Sequence, residues 1–210
     1  LGPNKLFRDI AWGLAEQGIA VLRYDKRTKV YGTAAYPQGV EATFDNEVVD
    51  DVISAVRLVK SLPEIDSARV YVLGHSLGGM LVPRIAQRAG EGCLGGIISL
   101  AGPVRKMEQL LTEQMTYISS LSGTQPDVKA AVEQVMNSLP ESYRKMETEY
   151  QPVEVARMLK LPFLVLQGER DYQVTMQDFG MWRFGLYRNP NVLFKSYPKL
   201  NHALQEGSGK

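Results

Sequence analysis

A single cysteine, Cys93, and two histidines, His75 and His202, are all that the 210-residue sequence holds of those types. One cysteine excludes an internal disulfide and any Cys-based zinc site, and it leaves the redox compartment undetermined. Charge of one sign is lacking as well. Twenty-four Lys and Arg stand against 23 Asp and Glu, a formal net charge of +1. No basic cluster interleaved with aromatics occurs, which argues against nucleic acid as a partner. Long hydrophobic runs are missing too: the longest apolar stretch, Leu94 to Val104, is broken by glycines and Pro103. It falls far short of the ~20 residues needed to cross a bilayer, so no membrane span is expected. The sequence begins with Leu1 and shows no basic-then-apolar leader, so localisation is not legible. What remains is an ordinary globular composition, 44% hydrophobic and 22% charged. A chain of this length buries roughly 70% of the surface that its unfolded form exposes, enough for one core without a metal or crosslink.

Five short runs rich in β-branched and aliphatic residues read as strands: Ile19 to Tyr24, Arg69 to Leu73, Gly95 to Leu100, Phe163 to Gln167 and Val192 to Tyr197. Most are continuously apolar rather than alternating, as strands covered on both faces are, and helical patterns separate them. The fold class is therefore α/β with a mostly parallel sheet. Val48, Val49, Val52, Ile53, Val56 and Val59 lie at helical spacing over Asn46 to Leu62, with Pro63 just past the end, and predict an amphipathic crossover helix. Residues 105–160 break the rhythm, with at least two helical patterns and no strand. They read as a helical cap inserted between two parts of a core, 1–104 and 161–210. Met107, Leu110, Leu111, Met115, Ile118 and Leu121 form one apolar stripe of this cap. Pro126 stands where a first-turn proline would open the next helix. Five of the eight methionines fall here, Met107, Met115, Met136, Met146 and Met158. Packing of helices onto the core accounts for them, and an acyl or aromatic pocket is the alternative.

The informative stretch is Val70-Tyr71-Val72-Leu73-Gly74-His75-Ser76-Leu77-Gly78-Gly79-Met80. It is a strand running into G-x-S-x-G and then into a helical pattern. A serine on so tight a strand-to-helix turn needs neighbours without side chains, which Gly74 and Gly78 would supply. Ser76 would then sit clear of the sheet at a helix start, with the backbone N–H of Leu77 as one oxyanion donor. A serine hydroxyl is a weak nucleophile and needs a base, in turn oriented by a carboxylate. His75 is adjacent on the strained turn, so its side chain should diverge from Ser76. His202 follows the last predicted strand, where a loop at the carboxyl end of a parallel strand delivers side chains above a sheet. The acid belongs after an intervening strand, in Gly168-Glu169-Arg170-Asp171. Asp171 is the better placed, beyond the turn that Gly168 permits. Glu169, nearer the strand end, remains an alternative and could pair with Arg170. Asp178, inside the helical pattern Met176 to Leu186, reads as a solvated helix residue.

With these motifs the chain resembles the α/β-hydrolase superfamily over essentially its whole length. Gly2-Pro3-Asn4-Lys5, Phe7-Arg8-Asp9 and Val21-Leu22-Arg23-Tyr24-Asp25-Lys26-Arg27 narrow the resemblance to bacterial serine esterases related to prolyl-oligopeptidase-type and acyl-peptidase-like enzymes. The resemblance implies an acyl-enzyme mechanism on Ser76, His202 and Asp171, with no metal or organic cofactor. Asp25 and Arg27 are implied to hold the shape of a loop near the site, substrate contact being the alternative. In this family a second oxyanion donor comes from a loop preceding the helix predicted at Asn4 to Glu16, hence upstream of Leu1. A further strand belongs between Ile19–Tyr24 and Arg69–Leu73. Without it the sheet would leave unpaired N–H and C=O groups, each costing about 1–3 kcal/mol if buried. The chain is thus expected to be part of a larger catalytic domain that lacks here the first strands of the fold.

The expected reaction is hydrolysis of a small carboxylic ester. An aminopeptidase or acyl-peptidase, a thioesterase and a catalytically silent binding module are the rivals. A base must be neutral, so activity should fall as the imidazole becomes protonated. Oligomeric state is not legible.

Overall fold

The computed structural model describes residues 4–123 and 126–207. Gly2 and Pro3 lie outside these described residues. The sheet contains β1 (Tyr71–His75), β2 (Gly96–Leu100), β3 (Phe163–Gly168) and β4 (Val192–Tyr197), in the spatial order β1-β2-β3-β4. All three pairings are parallel. Parallel neighbours need crossovers, and the helical segments between the strands supply them, covering the sheet on both sides. The central strand β2 is almost wholly buried, whereas the edge strands expose Tyr71 and Leu193. Continuous apolar runs therefore mark the middle of the sheet. The register aligns His75 with Leu100, Leu100 with Leu166 and Gly168 with Tyr197. The carboxyl ends of the strands thus lie along one rim, from which the site is built.

One of the five expected strands is not formed. Ile19 to Tyr24 has no regular structure and is exposed, Ile19 at 51% and Leu22 at 49%. High strand propensity does not make a strand without a ladder to join, and no described residue pairs with this run. The outer edge of β1 likewise has no pairing partner among the described residues.

The expected amino-terminal helix is α1 (Leu6–Ala15), and α2 (Arg27–Tyr31) follows the exposed run. Arg27 pairs with Asp51 through its Nε at 2.9 Å, and Lys29 reaches Asp25 at 2.6 Å. The crossover helix enters through a wide π-type turn, Asp45–Val49, and continues as α3 (Asp50–Lys60). Its apolar stripe meets α4 (Leu77–Ala89), whose Leu81, Val82 and Ile85 lie at the centre of the core.

Asp45 accepts from Arg84 at 2.7 Å and Arg88 at 2.8 Å, joining the entrance of this crossover to α4. The Arg84 guanidinium, with help from Arg88, holds the Asp45 carboxyl below its usual range against a smaller opposing effect of burial. A depressed folded-state value stabilises the fold above the ordinary aspartate range, and that contribution is lost as pH falls through the folded value. Asp45→Asn is expected to lose about 1–2 kcal/mol at neutral pH and to be less sensitive to acid. Urea titrations at pH 7 and pH 3 check this: equal acid sensitivity in both proteins would refute it.

Residues 105–160 form α5 (Met107–Ser122), α6 (Val128–Ser138), α7 (Glu141–Glu149) and the short α8 (Pro152–Arg157), with no strand among their described residues. Only Leu110 of the predicted α5 stripe is buried, and Leu121 is 69% exposed. Pro126 does not open α6. Asp127 caps it, its carboxylate accepting from Ala130 N at 3.0 Å, so the first free N–H groups are met by a side chain and the proline lies outside. α8 packs on α4 and on α9 (Met176–Leu186), so the end of the segment belongs to the core layer.

Candidate active site

Ser76 occupies the turn between β1 and α4 with φ 57° and ψ −121°, a conformation that costs a residue with a Cβ. It is held by its flanks: Ser76 N donates to Leu100 O at 2.9 Å, and Met80 N donates to Ser76 O at 3.0 Å. A Cβ on Gly74 would fall 2.1 Å from the carbonyl oxygen of Gly78, so this glycine is required. Gly78 is not required in that way, for its own Cβ would meet nothing within 4 Å. The second close approach is at Gly79, where a Cβ would lie 2.8 Å from Gly102 Cα and 3.0 Å from Leu100 O. Gly74 is thus required as expected, but the second close approach falls on Gly79 rather than Gly78, because the motif does not tell which Cα faces backbone. Leu77 opens α4, and its N–H has no partner four residues back.

Asp171 and His202 are in contact. The Nδ1–H of His202 donates to Asp171 Oδ2 at 2.6 Å, and both side chains are buried. This fixes the tautomer: with Nδ1 protonated, Nε2 carries the lone pair. The other oxygen, Oδ1, accepts from Gln173 N at 2.8 Å and Val174 N at 2.9 Å, so the loop backbone aims the carboxylate. Gln167, buried at the end of β3, adds a bond to Oδ2 at 3.2 Å and ties the loop through Val174 O at 2.8 Å. Gly168 serves chiefly by close approach: a Cβ there would lie 2.3 Å from Leu200 O. That pinch brings the acid loop against the histidine loop. Glu169 is turned away and accepts from Ser196 Oγ at 2.7 Å.

No hydrogen bond joins Ser76 Oγ to His202. The link between them is His75, whose Nε2 donates to the carbonyl oxygen of His202 at 2.8 Å and whose ring lies 4.6 Å from the His202 ring. His75 does diverge from Ser76, but it turns onto the histidine loop rather than into solvent. Asn201 orders that loop, its Oδ1 accepting from Ala203 N and Gln205 N, both at 3.0 Å. No motif marks Gln167, four residues before Asp171, as a support of the carboxylate, and Asn201 is marked only as the neighbour of His202.

Asp178 is not solvated. It is fully buried and accepts from Val104 N at 2.9 Å, Arg105 N at 3.1 Å, and Arg105 Nε and Nη2 at 3.1 and 2.8 Å. Arg105 also reaches Glu113 of α5, Gln177 and Thr175. The loop after β2 is thereby clamped to α9. On the other side of the acid, Gln114 Nε2 donates to Gln173 O at 3.1 Å, and the Tyr117 and Tyr172 rings lie 4.8 Å apart. Helix α5 therefore touches Tyr172 and Gln173, the two residues that follow Asp171.

A parallel sheet with a strained serine between strand and helix, and a buried Asp–His pair on the same rim, defines the α/β-hydrolase fold. Residues 7–210 match the prolyl oligopeptidase family, and the chain belongs to that family. It is 36% identical to the esterase EstD of Thermotoga maritima over 227 aligned positions, 100% of this chain and 52% of that protein. An uncharacterized peptidase, YtmA of Bacillus subtilis, is 26% identical across 64% of this chain and 47% of its own length. The chain thus spans about half the length of these curated relatives. Among solved structures, the esterase Pf2001 of Pyrococcus furiosus superposes with a TM-score of 0.65 at 18% identity, covering 96% of this chain and 68% of that one. Est1E of Butyrivibrio proteoclasticus, solved with ferulic acid bound, gives 0.64 at 16% identity, over 96% and 76%.

Proposed function

We propose that the chain is the catalytic part of a serine hydrolase that cleaves carboxylic esters through an acyl-enzyme. Ser76 Oγ attacks the ester carbonyl while His202 Nε2 takes its proton. Asp171 holds the imidazole in the required tautomer and balances the charge that forms on it. Leu77 N–H, with a second donor outside the described residues, stabilises the tetrahedral oxyanion at the positive end of α4. His202 then returns its proton to the leaving alcohol, and water repeats the sequence on the acyl-serine. Residues 105–160 serve in this reading as a helical cap inserted between the two parts of the core. One observation carries the reading: the buried contact of 2.6 Å between His202 Nδ1 and Asp171 Oδ2, beside the strained turn that bears Ser76.

Full-chain similarity to a protein named as an esterase favours esters. A peptidase is the second reading, favoured by the family and by the partial match to a named peptidase. A fluorophosphonate probe is expected to label Ser76 and to fail on Ser76→Ala, because only an activated serine reacts. Turnover of a short acyl ester is expected to exceed that of an aminoacyl anilide. Labelling that persists in the alanine variant overturns the nucleophile assignment, and faster anilide cleavage overturns the ester preference.

A further inference from the structure

We propose that His75 is a positioning residue for the base, fixing the distance between Ser76 and His202 by gripping the His202 carbonyl and flanking its ring. The inference rests on the triad reading above and adds a fourth side chain to it.

The bond from Asp171 to Nδ1 constrains one edge of the His202 ring but leaves rotation about that axis open. His75 meets the residue at two further places. Its ring packs against the His202 ring with centroids 4.6 Å apart and planes inclined by 47°. Its Nε2 donates to the His202 main-chain oxygen at 2.8 Å. These contacts come from the last residue of β1, which is held in the ladder opposite Leu100. Ser76 is the next residue, so a rigid strand end carries the nucleophile's backbone and the grip on the base in adjacent positions. The histidine loop itself is a tight turn, with Leu204 at φ 57°, and the grip acts at its first residue after Asn201. Phe7 closes over His75 edge-on, its ring centroid 5.9 Å away.

The acceptor is a carbonyl oxygen, so Nε2 of His75 must carry its proton. Burial, reinforced by the neighbouring His202, pushes the His75 imidazole below its ordinary value, against the smaller opposing effects of its bond to the His202 carbonyl and of Asp171. That direction favours the neutral imidazole, the form whose Nε2–H the grip uses. The groups that face it are His202, Asp171 and the His202 carbonyl.

His75→Phe keeps a ring and removes the donor, whereas His75→Gln keeps an amide donor at comparable reach. His75→Phe is expected to lower kcat for a short ester by roughly 10–100-fold with KM nearly constant, the scale of an ångström-level misplacement. The rate of fluorophosphonate labelling should fall in parallel. His75→Gln should restore most of the lost turnover relative to His75→Phe. Should the phenylalanine variant not fold, His75→Asn, whose shorter amide cannot reach the carbonyl, takes its place. Wild-type kcat in the donor-less variant, or equal losses in the glutamine and donor-less variants, overturns the proposal. A parallel His202→Ala protein separates the two readings. If it retains turnover, the triad itself fails; if it is inactive while His75→Phe is unimpaired, only the positioning role fails.

Discussion

Ser76→Ala is expected to reduce ester turnover by on the order of 10⁶-fold while leaving the fold intact. The same loss is expected for His202→Ala, and the double variant should be scarcely worse than either, because attack and proton transfer are one event. The turn geometry adds a second expectation at the same position. Ser76 and an alanine in its place both hold a Cβ at φ 57°, whereas glycine does not. Ser76→Gly should therefore be more stable than Ser76→Ala by about 1 kcal/mol, despite glycine's greater entropy in the unfolded chain. Steady-state kinetics with urea unfolding of the variants measures both. Additive losses in the double variant would show that Ser76 and His202 act separately.

The largest expected loss of stability lies away from the nucleophile, at Asp178. Its carboxylate neutralises Arg105, whose side chain is 4% exposed, and also accepts from two main-chain N–H groups of the loop after β2. Asp178→Ala would leave a buried guanidinium without its main counter-charge and two amides without acceptors. A loss of about 3–5 kcal/mol follows. Replacing Arg105 by methionine as well should recover part of this but not all, since the main-chain groups stay unsatisfied. Urea unfolding of the single and double variants gives the coupling directly. A single-variant loss below about 1 kcal/mol would mean that the clamp contributes little beyond a surface pair.

That clamp marks one limit of sequence reasoning. An aspartate two residues into a helical pattern looks solvated, and its partner lies 73 residues away in the chain. Nothing local announces the pair. The strand Ile19–Tyr24 failed for a related reason: propensity is local, but a ladder is a property of neighbours, and among the described residues this run has none. By contrast β2 and β3 were legible because burial on both faces writes itself as near-continuous apolar runs, and the edge strand β4 through its apolar start, Val192 to Phe194. The elbow was legible because a serine turn of this tightness restricts its neighbours to glycine, although the close contact fell on Gly79 rather than Gly78. Asp171 and His202 were legible through chain order and the scarcity of histidine, and the structure brings them together. For His75 the motif speaks only to its distance from Ser76. Its contact with the loop of the other histidine depends on a chain separation of 127 residues that no short motif spans.

The contacts of Gln114 and Tyr117 with Gln173 and Tyr172 have a bearing on how this scaffold can change. Diversity introduced into residues 107–122 to accommodate a different substrate would disturb the backbone that aims the Asp171 carboxylate. On the proposed reading of residues 105–160 as a cap, selectivity and reactivity are inherited together, and an evolutionary path between substrates would pass through compensating substitutions on the two segments rather than through helix α5 alone.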